Sequence, residues 1–159
     1  MAANLQNNFD IPEEREVSFP PAHTAEHLLN QTMIRMYGCQ RSRNAHIERK
    51  KSKISYILDH KPSRHEEQEI ERRINQLIAD DLPVSFEYVS IDELPSQVST
   101  DSLPADVSDT IRLVRIGDYD VCPCIGKHVR STAQIGTFQI LGTNWDEMNH
   151  SFRIRFKIV

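Results

Sequence analysis

Two short stretches carry the residue types from which metal centres and redox pairs are made. The first is His23-Thr-Ala-Glu-His27. Positions four apart on a helix lie one above the other, so two imidazoles so placed can point at a single ion. They sit well round the helix from the apolar positions Ala25, Leu29 and Met33 and share their face with Asn30 and Ile34, so the pair is expected off the core. Two surface histidines would look the same. The second stretch is Cys122-Pro-Cys124-Ile-Gly-Lys-His128, in which Cys124 and His128 are again four apart. Zinc favours such nitrogen and sulfur ligands, with bonds near ~2.3 Å to sulfur and ~2.0 Å to nitrogen. His23, His27, Cys124 and His128 therefore make four candidates for one tetrahedral ion. If all four bind, the site is closed; if three bind, a position stays open for water or substrate. Two other readings stay open: a redox pair of Cys122 and Cys124, strained by the single residue between them, and inert buried thiols.

These stretches lie about a hundred residues apart, so the elements between them must bring them together. Pro20-Pro21 suits the first turn of a helix, where a missing N–H costs nothing. The apolar spacing predicts a helix over 22–37, stopped by Gly38. A strand is expected over 53–58, with 45–48 as its hairpin arm. Ser63 and Glu66 form a capping box for a second helix, whose buried stripe is Ile70, Ile74, Leu77 and Ile78. Strands follow over 84–89, 111–116, 136–141 and 151–159, with a loop or short helix over 92–109. The last strand alternates strictly, as a half-buried antiparallel strand does. The sum is an α+β fold: a single domain in which one largely antiparallel sheet packs with a few helices.

The 159 residues are 38% hydrophobic and 26% charged, with a mean hydropathy of -0.52. No stretch approaches the ~20 apolar residues of a membrane span. The N-terminus lacks a signal-peptide pattern, and an odd count of three cysteines points to reduced thiols, so a cytoplasmic protein is expected. The net charge of -4 argues against a nucleic-acid binder, but its distribution does not. Residues 35–53 hold Arg35, Arg41, Arg43, Arg49, Lys50, Lys51 and Lys53 against Glu48 alone. A local basic stripe of this kind can meet phosphates on an acidic protein.

Taken together, His23-Thr-Ala-Glu-His-Leu-Leu29, Cys124-Ile-Gly-Lys-His-Val129 and Thr132-Ala-Gln-Ile-Gly136 resemble the motif set of one family. It is the editing domain shared by alanyl- and threonyl-tRNA synthetases, found also in freestanding alanyl-tRNA editing proteins. The resemblance covers 20–159 and leaves 1–19 as a lead segment; it is similar to the short form without a preceding glycine-rich barrel. It implies hydrolysis of the ester joining a wrong amino acid to tRNA. It also implies that His23, His27, Cys124 and His128 line the catalytic site and, in the alanyl branch, hold zinc. The family's usual Cys-Gly-Gly-Thr-His reads Cys124-Ile-Gly-Lys-His here.

A trans-acting hydrolase removing serine or glycine from tRNA for alanine is the expectation. The alternatives are serine removal from threonine tRNA, a non-catalytic zinc-stabilised RNA-binding module, and a metal hydrolase of small esters. Editing has an energetic reason, since one methyl-sized difference discriminates by only about 1–3 kcal/mol. The acceptor end of aminoacyl-tRNA is the expected partner, with no membrane. Thr24, Asn44, His46, Lys127 and Arg130 are then candidates for substrate contact, and Arg49, Lys50, Lys51 and Lys53 for tRNA phosphates. Zinc could polarise the ester carbonyl, bind the substrate amine or acidify water. Backbone N–H groups near Gly126 could serve a developing oxyanion, or Gly126 could simply make a turn.

Overall fold

A computed structural model describes residues 19–98 and 110–159. Helix α1 spans Pro20–Tyr37, with proline in its first turn and Gly38 in the left-handed conformation returning its N–H to Ile34 O. Helix α2 spans Arg64–Ala79 and begins at the capping box, with Ser63 and Glu66 satisfying each other's backbone donors. Ile70, Ile74 and Ile78 are buried, and Leu77 packs at the edge of the same core.

The strands are β1 (Asn44–His46), β2 (Ser52–Ile57), β3 (Val84–Ser90), β4 (Thr110–Ile116), β5 (Asp120–Pro123), β6 (Phe138–Asp146) and β7 (Ser151–Ile158). All pairings are antiparallel. The α+β class and the antiparallel pairing are as expected, but there are two sheets where one was anticipated. One runs β1-β2-β7-β6 and the other β3-β4-β5. Beside β3, Pro83 makes an isolated bridge to Ser131. In β7 the predicted alternation holds: Phe152, Ile154 and Phe156 are buried beside Arg153, Arg155 and Lys157.

Strand β5 was not anticipated, and Cys124–His128 lies in the loop after it. Short 3-10 turns at Ile91–Glu93 and Thr132–Ile135 complete the described elements. The rest of the expected 92–109 loop from 99 onward, and nearly all of the 1–19 lead, fall outside the described residues.

Helix α1 touches α2, β7 and β5, and so meets both sheets. Its burial therefore extends well beyond one stripe, taking in Thr24, His27, Asn30 and Thr32 together with Ala25, Leu28, Leu29 and Met33. The buried polar groups are paired, as burial demands: Tyr56 donates to Asn30 Oδ1 at 2.8 Å, and Thr32 donates to Leu28 O. A second small core of Val98, Ile111, Leu113 and Val121 covers the opposite face of the three-stranded sheet. Buried side chains lie on both faces of β4, the central strand of that sheet, which anchors β5 and the loop that leaves it. No helix of the described residues is long and apolar enough to cross a membrane.

Candidate metal centre

His23, His27, Cys124 and His128 converge, each offering one donor atom within 4.8 Å of the others. Helix α1 supplies two of them and the loop after β5 the other two. His27 corrects the sequence expectation. It is only 3% exposed, because β5 covers the face of α1 that periodicity assigned to solvent.

In all three histidines Nδ1 is occupied by another protein group, which leaves Nε2 for the cluster. His23 Nδ1–H donates to Lys127 O at 3.2 Å. His27 Nδ1 lies 3.3 Å from Cys122 Sγ and 3.6 Å from Asp120 Oδ2. His128 Nδ1 meets Thr24 Oγ1 at 3.0 Å, and the same oxygen accepts Val129 N. Outer partners of this kind fix the tautomer and aim of a ligating imidazole. His128 Nε2 is then buried without a hydrogen-bond partner among the described residues. A buried acceptor left unpaired costs about 1–3 kcal/mol unless a ligand satisfies it, so this nitrogen fits a cation.

The electrostatics agree. Burial would raise the Cys124 thiol, but the neighbouring His128, His23 and His27 imidazoles outweigh it and hold it at about 3, in the thiolate form that metals take. His128 is pushed down to about 4 by burial and, beyond it, by the neighbouring His27 and His23, against the pull of Cys124; it is neutral, as a ligand must be. Burial opposes charge on His27, yet Cys122 and Asp120 favour it strongly enough to raise its pKa well above the ordinary value. A metal ion bound at the His27 ring would therefore displace a proton.

Several residues that build the centre escaped sequence reasoning. Asp120 accepts a bidentate pair from Arg41 at 2.8 Å and a hydrogen bond from Gln31, and it faces His27. Burial would raise its carboxyl, but the His27 and Arg41 hydrogen bonds hold it below the usual carboxylate range. The signal was present: Asp120, Cys122 and Cys124 are two apart, the spacing of one strand face. Arg112 props the loop, donating to Ile125 O at 3.3 Å and Gly126 O at 2.6 Å. Gly126 leaves room for His23, since a Cβ there would lie 2.2 Å from His23 Cε1. Its N–H donates to Cys124 Sγ at 3.4 Å, so that donor serves the thiolate and not an oxyanion.

The other expected residues are scattered. His46 joins His23, Glu26, Glu48 and Gly126 in lining a cleft of about 460 Å³, and its ring pairs with Glu48. Thr24 is fully buried with its hydroxyl engaged as above. Asn44 lines a different cavity, with Ser55 and Tyr56. Lys127 and Arg130 have exposed side chains; at 127 it is the backbone carbonyl that holds His23. Arg49, Lys50, Lys51 and Lys53 are exposed around the β1–β2 turn, with Arg49 stacked on Phe19. Arg41 and Arg35 leave the basic stripe, one held by Asp120 and the other by Gln31, Tyr119 O and the Tyr119 ring.

Comparison with known proteins meets part of this geometry. Residues 111–153, which include Cys124 and His128, match the family described as threonyl and alanyl tRNA synthetase second additional domain. An alanine–tRNA ligase of Oceanobacillus iheyensis is 32% identical over 120 residues, 75% of this chain and 14% of its own length. The alanyl-tRNA editing protein AlaX-L of Pyrococcus horikoshii is 33% identical over 121 residues, 75% of this chain and 29% of its own. An alanine–tRNA ligase of Streptomyces avermitilis is 29% identical over 145 residues, 89% of this chain and 16% of its own.

This chain is a homologue of alanyl-tRNA synthetases and of an alanyl-tRNA editing protein. The homologue spans less than a third of the length of each of these relatives. The family resemblance read from its motifs is borne out, and a His/Cys group able to hold a metal ion stands where those motifs meet.

Proposed function

We propose that this chain deacylates mischarged tRNA, with serine on tRNA for alanine as its principal substrate and glycine on the same tRNA as a second. The observation that carries the reading is the convergence of three imidazole Nε2 atoms and one thiolate, each imidazole fixed from behind through Nδ1. The similarity to alanyl-tRNA proteins supports the choice of tRNA. Zinc suits this donor set, and when bound it would supply Lewis-acid polarisation of the ester carbonyl.

The remaining steps belong to side chains of the cleft. Glu26 lies 3.6 Å from His23 and lines the cleft, and burial raises its carboxyl above the usual value. A carboxyl shifted toward neutrality is suited to proton transfer. Water adds to the ester carbon, the bond to the ribose oxygen breaks, and Glu26 carries the proton that water loses to that oxygen. His46 and Glu48 face the same cleft and offer polar atoms to the serine hydroxyl. A site built to hydrogen-bond that hydroxyl rejects alanine, because its own groups would be left unpaired.

The test is release of serine from Ser-tRNA(Ala) by the zinc-loaded protein, with Ala-tRNA(Ala) as control. Rapid loss of serine with alanine spared supports the reading. Loss from Ser-tRNA(Thr) instead would move the activity to the threonine system. Absence of turnover, with unfolding on chelation, would leave a zinc-stabilised RNA-binding module.

A further inference from the structure

We infer that the outer face of β3, next to the metal centre, is a stacking ledge for the unpaired 3′-terminal bases of the acylated RNA, built from Phe86 and Tyr88. This inference rests on the deacylase reading and deepens it by naming what holds the RNA end.

Residues 86 and 88 lie on one face of β3, as alternate residues of a strand do. Their cross-strand partners on β4 are Val114 and Arg112, and Val114 in turn pairs with Cys122 of β5. Cys122 touches His27. One sheet face thus runs without a break from the metal centre out to Tyr88. Planar groups continue along it: His23 stacks on His128 at 4.3 Å, Phe86 lies 6.3 Å beyond His128, and the Arg112 guanidinium covers the Phe86 ring at 4.3 Å.

Large apolar groups are exposed here at some cost. Phe86 is 48% exposed, Tyr88 71% and Ile125, in the ligand loop, 91%. These three side chains fall far short of the roughly 800 Å² per partner that a stable protein interface buries. Three cations belong to the same neighbourhood: Arg112 lies over the Phe86 ring, Lys127 follows Ile125 by two residues, and Arg130 accepts the Val84 N–H of β3 through its carbonyl; their charge suits phosphates. Aromatic faces with flanking guanidinium groups are how proteins grip single-stranded bases, and each stacked base contributes roughly a ten-fold gain in affinity or more. Arg112 also fixes Ile125 O and Gly126 O, so a base stacked beside it would sit at a set distance from the loop that carries Cys124 and His128.

The experiment uses the full metal-loaded chain and two synthetic acceptor-stem hairpin RNAs, one with an unpaired 3′ end and one trimmed blunt. Fluorescence anisotropy is expected to show about a ten-fold preference for the unpaired end. Tyr88→Ala should erase that preference and raise KM for the aminoacyl-tRNA more than it lowers kcat, with metal content unchanged. Phe86→Leu, which keeps an apolar side chain on the sheet, should do the same if Tyr88→Ala fails to fold. Met148→Ala, which removes a 93% exposed side chain in the β6–β7 turn, should keep the preference.

Absence of the preference in the wild-type protein, or its survival in both ledge variants, overturns the ledge. So does loss of self-association in Tyr88→Ala with the preference intact, which would make the patch a protein contact. Ester hydrolysis without the preference would refute the ledge alone. The preference without hydrolysis of any aminoacyl-tRNA would refute the deacylase reading and leave the grip on RNA ends standing.

Discussion

Replacing Gly126 by alanine places a methyl group against His23, one of the four candidate metal ligands. The added Cβ would lie 2.2 Å from His23 Cε1 and 2.7 Å from His23 Nδ1, where ordinary contacts begin at 3.4 Å. The imidazole must retreat by about 1 Å. Zinc–nitrogen bonds hold within about 0.2 Å of their ~2.0 Å length, so a retreat of that size breaks the bond. Loss of an outer-shell partner alone typically costs about 10–100-fold in metal affinity. Loss of the ligand itself should reach about 100-fold, which is roughly 2.7 kcal/mol. The backbone at 126 has no positive φ, and the residue lies in the loop away from both apolar cores, so the metal-free fold should be unharmed. Competition with a chromophoric chelator measures the affinity, and urea unfolding of the metal-free protein measures the fold. Zinc affinity within about three-fold of wild type would refute the assignment of His23 as a ligand and of Gly126 as the residue that makes room for it.

Asp120→Asn removes the charge that faces both Arg41 and His27, and breaking a buried ion pair costs on the order of 3 kcal/mol; an unchanged urea midpoint would show that the pair contributes nothing. Ile74→Ala truncates a fully buried side chain between α2 and the sheet and should cost about 2–5 kcal/mol, with a neutral result refuting the packing of α2. His27→Ala should abolish turnover and also lower stability, by about 1–3 kcal/mol, because it leaves a buried group of Asp120 and Cys122 without its partner; a variant as stable as wild type would contradict the burial of His27. Raising salt from 50 to 200 mM should weaken tRNA binding, and Lys50→Glu with Lys51→Glu should flatten that dependence; an affinity indifferent to salt would remove the β1–β2 turn from the RNA surface.

Local structure was legible from the chain alone, and so were the four residues that the fold brings together as candidate donors. Helix stops, the capping box at Ser63 and the strict alternation of 152–158 are set by interactions within a few residues, and these were readable. The two spaced His/Cys pairs stood out because histidine and cysteine are rare, and the fold does bring them within 4.8 Å of one another. Their surroundings were settled by long-range packing. Helical periodicity placed His27 off the core, but α1 lies between two sheets and β5 closes over its polar side. Strand β5 went unread because it is four residues long and carries a buried aspartate, whose charge is tolerable only beside Arg41, 79 residues away in sequence. The roles of Thr24, Arg112 and Gly126 were hidden for the same reason. Each acts through a contact across a large sequence separation, and local propensity carries no information about which distant group will arrive.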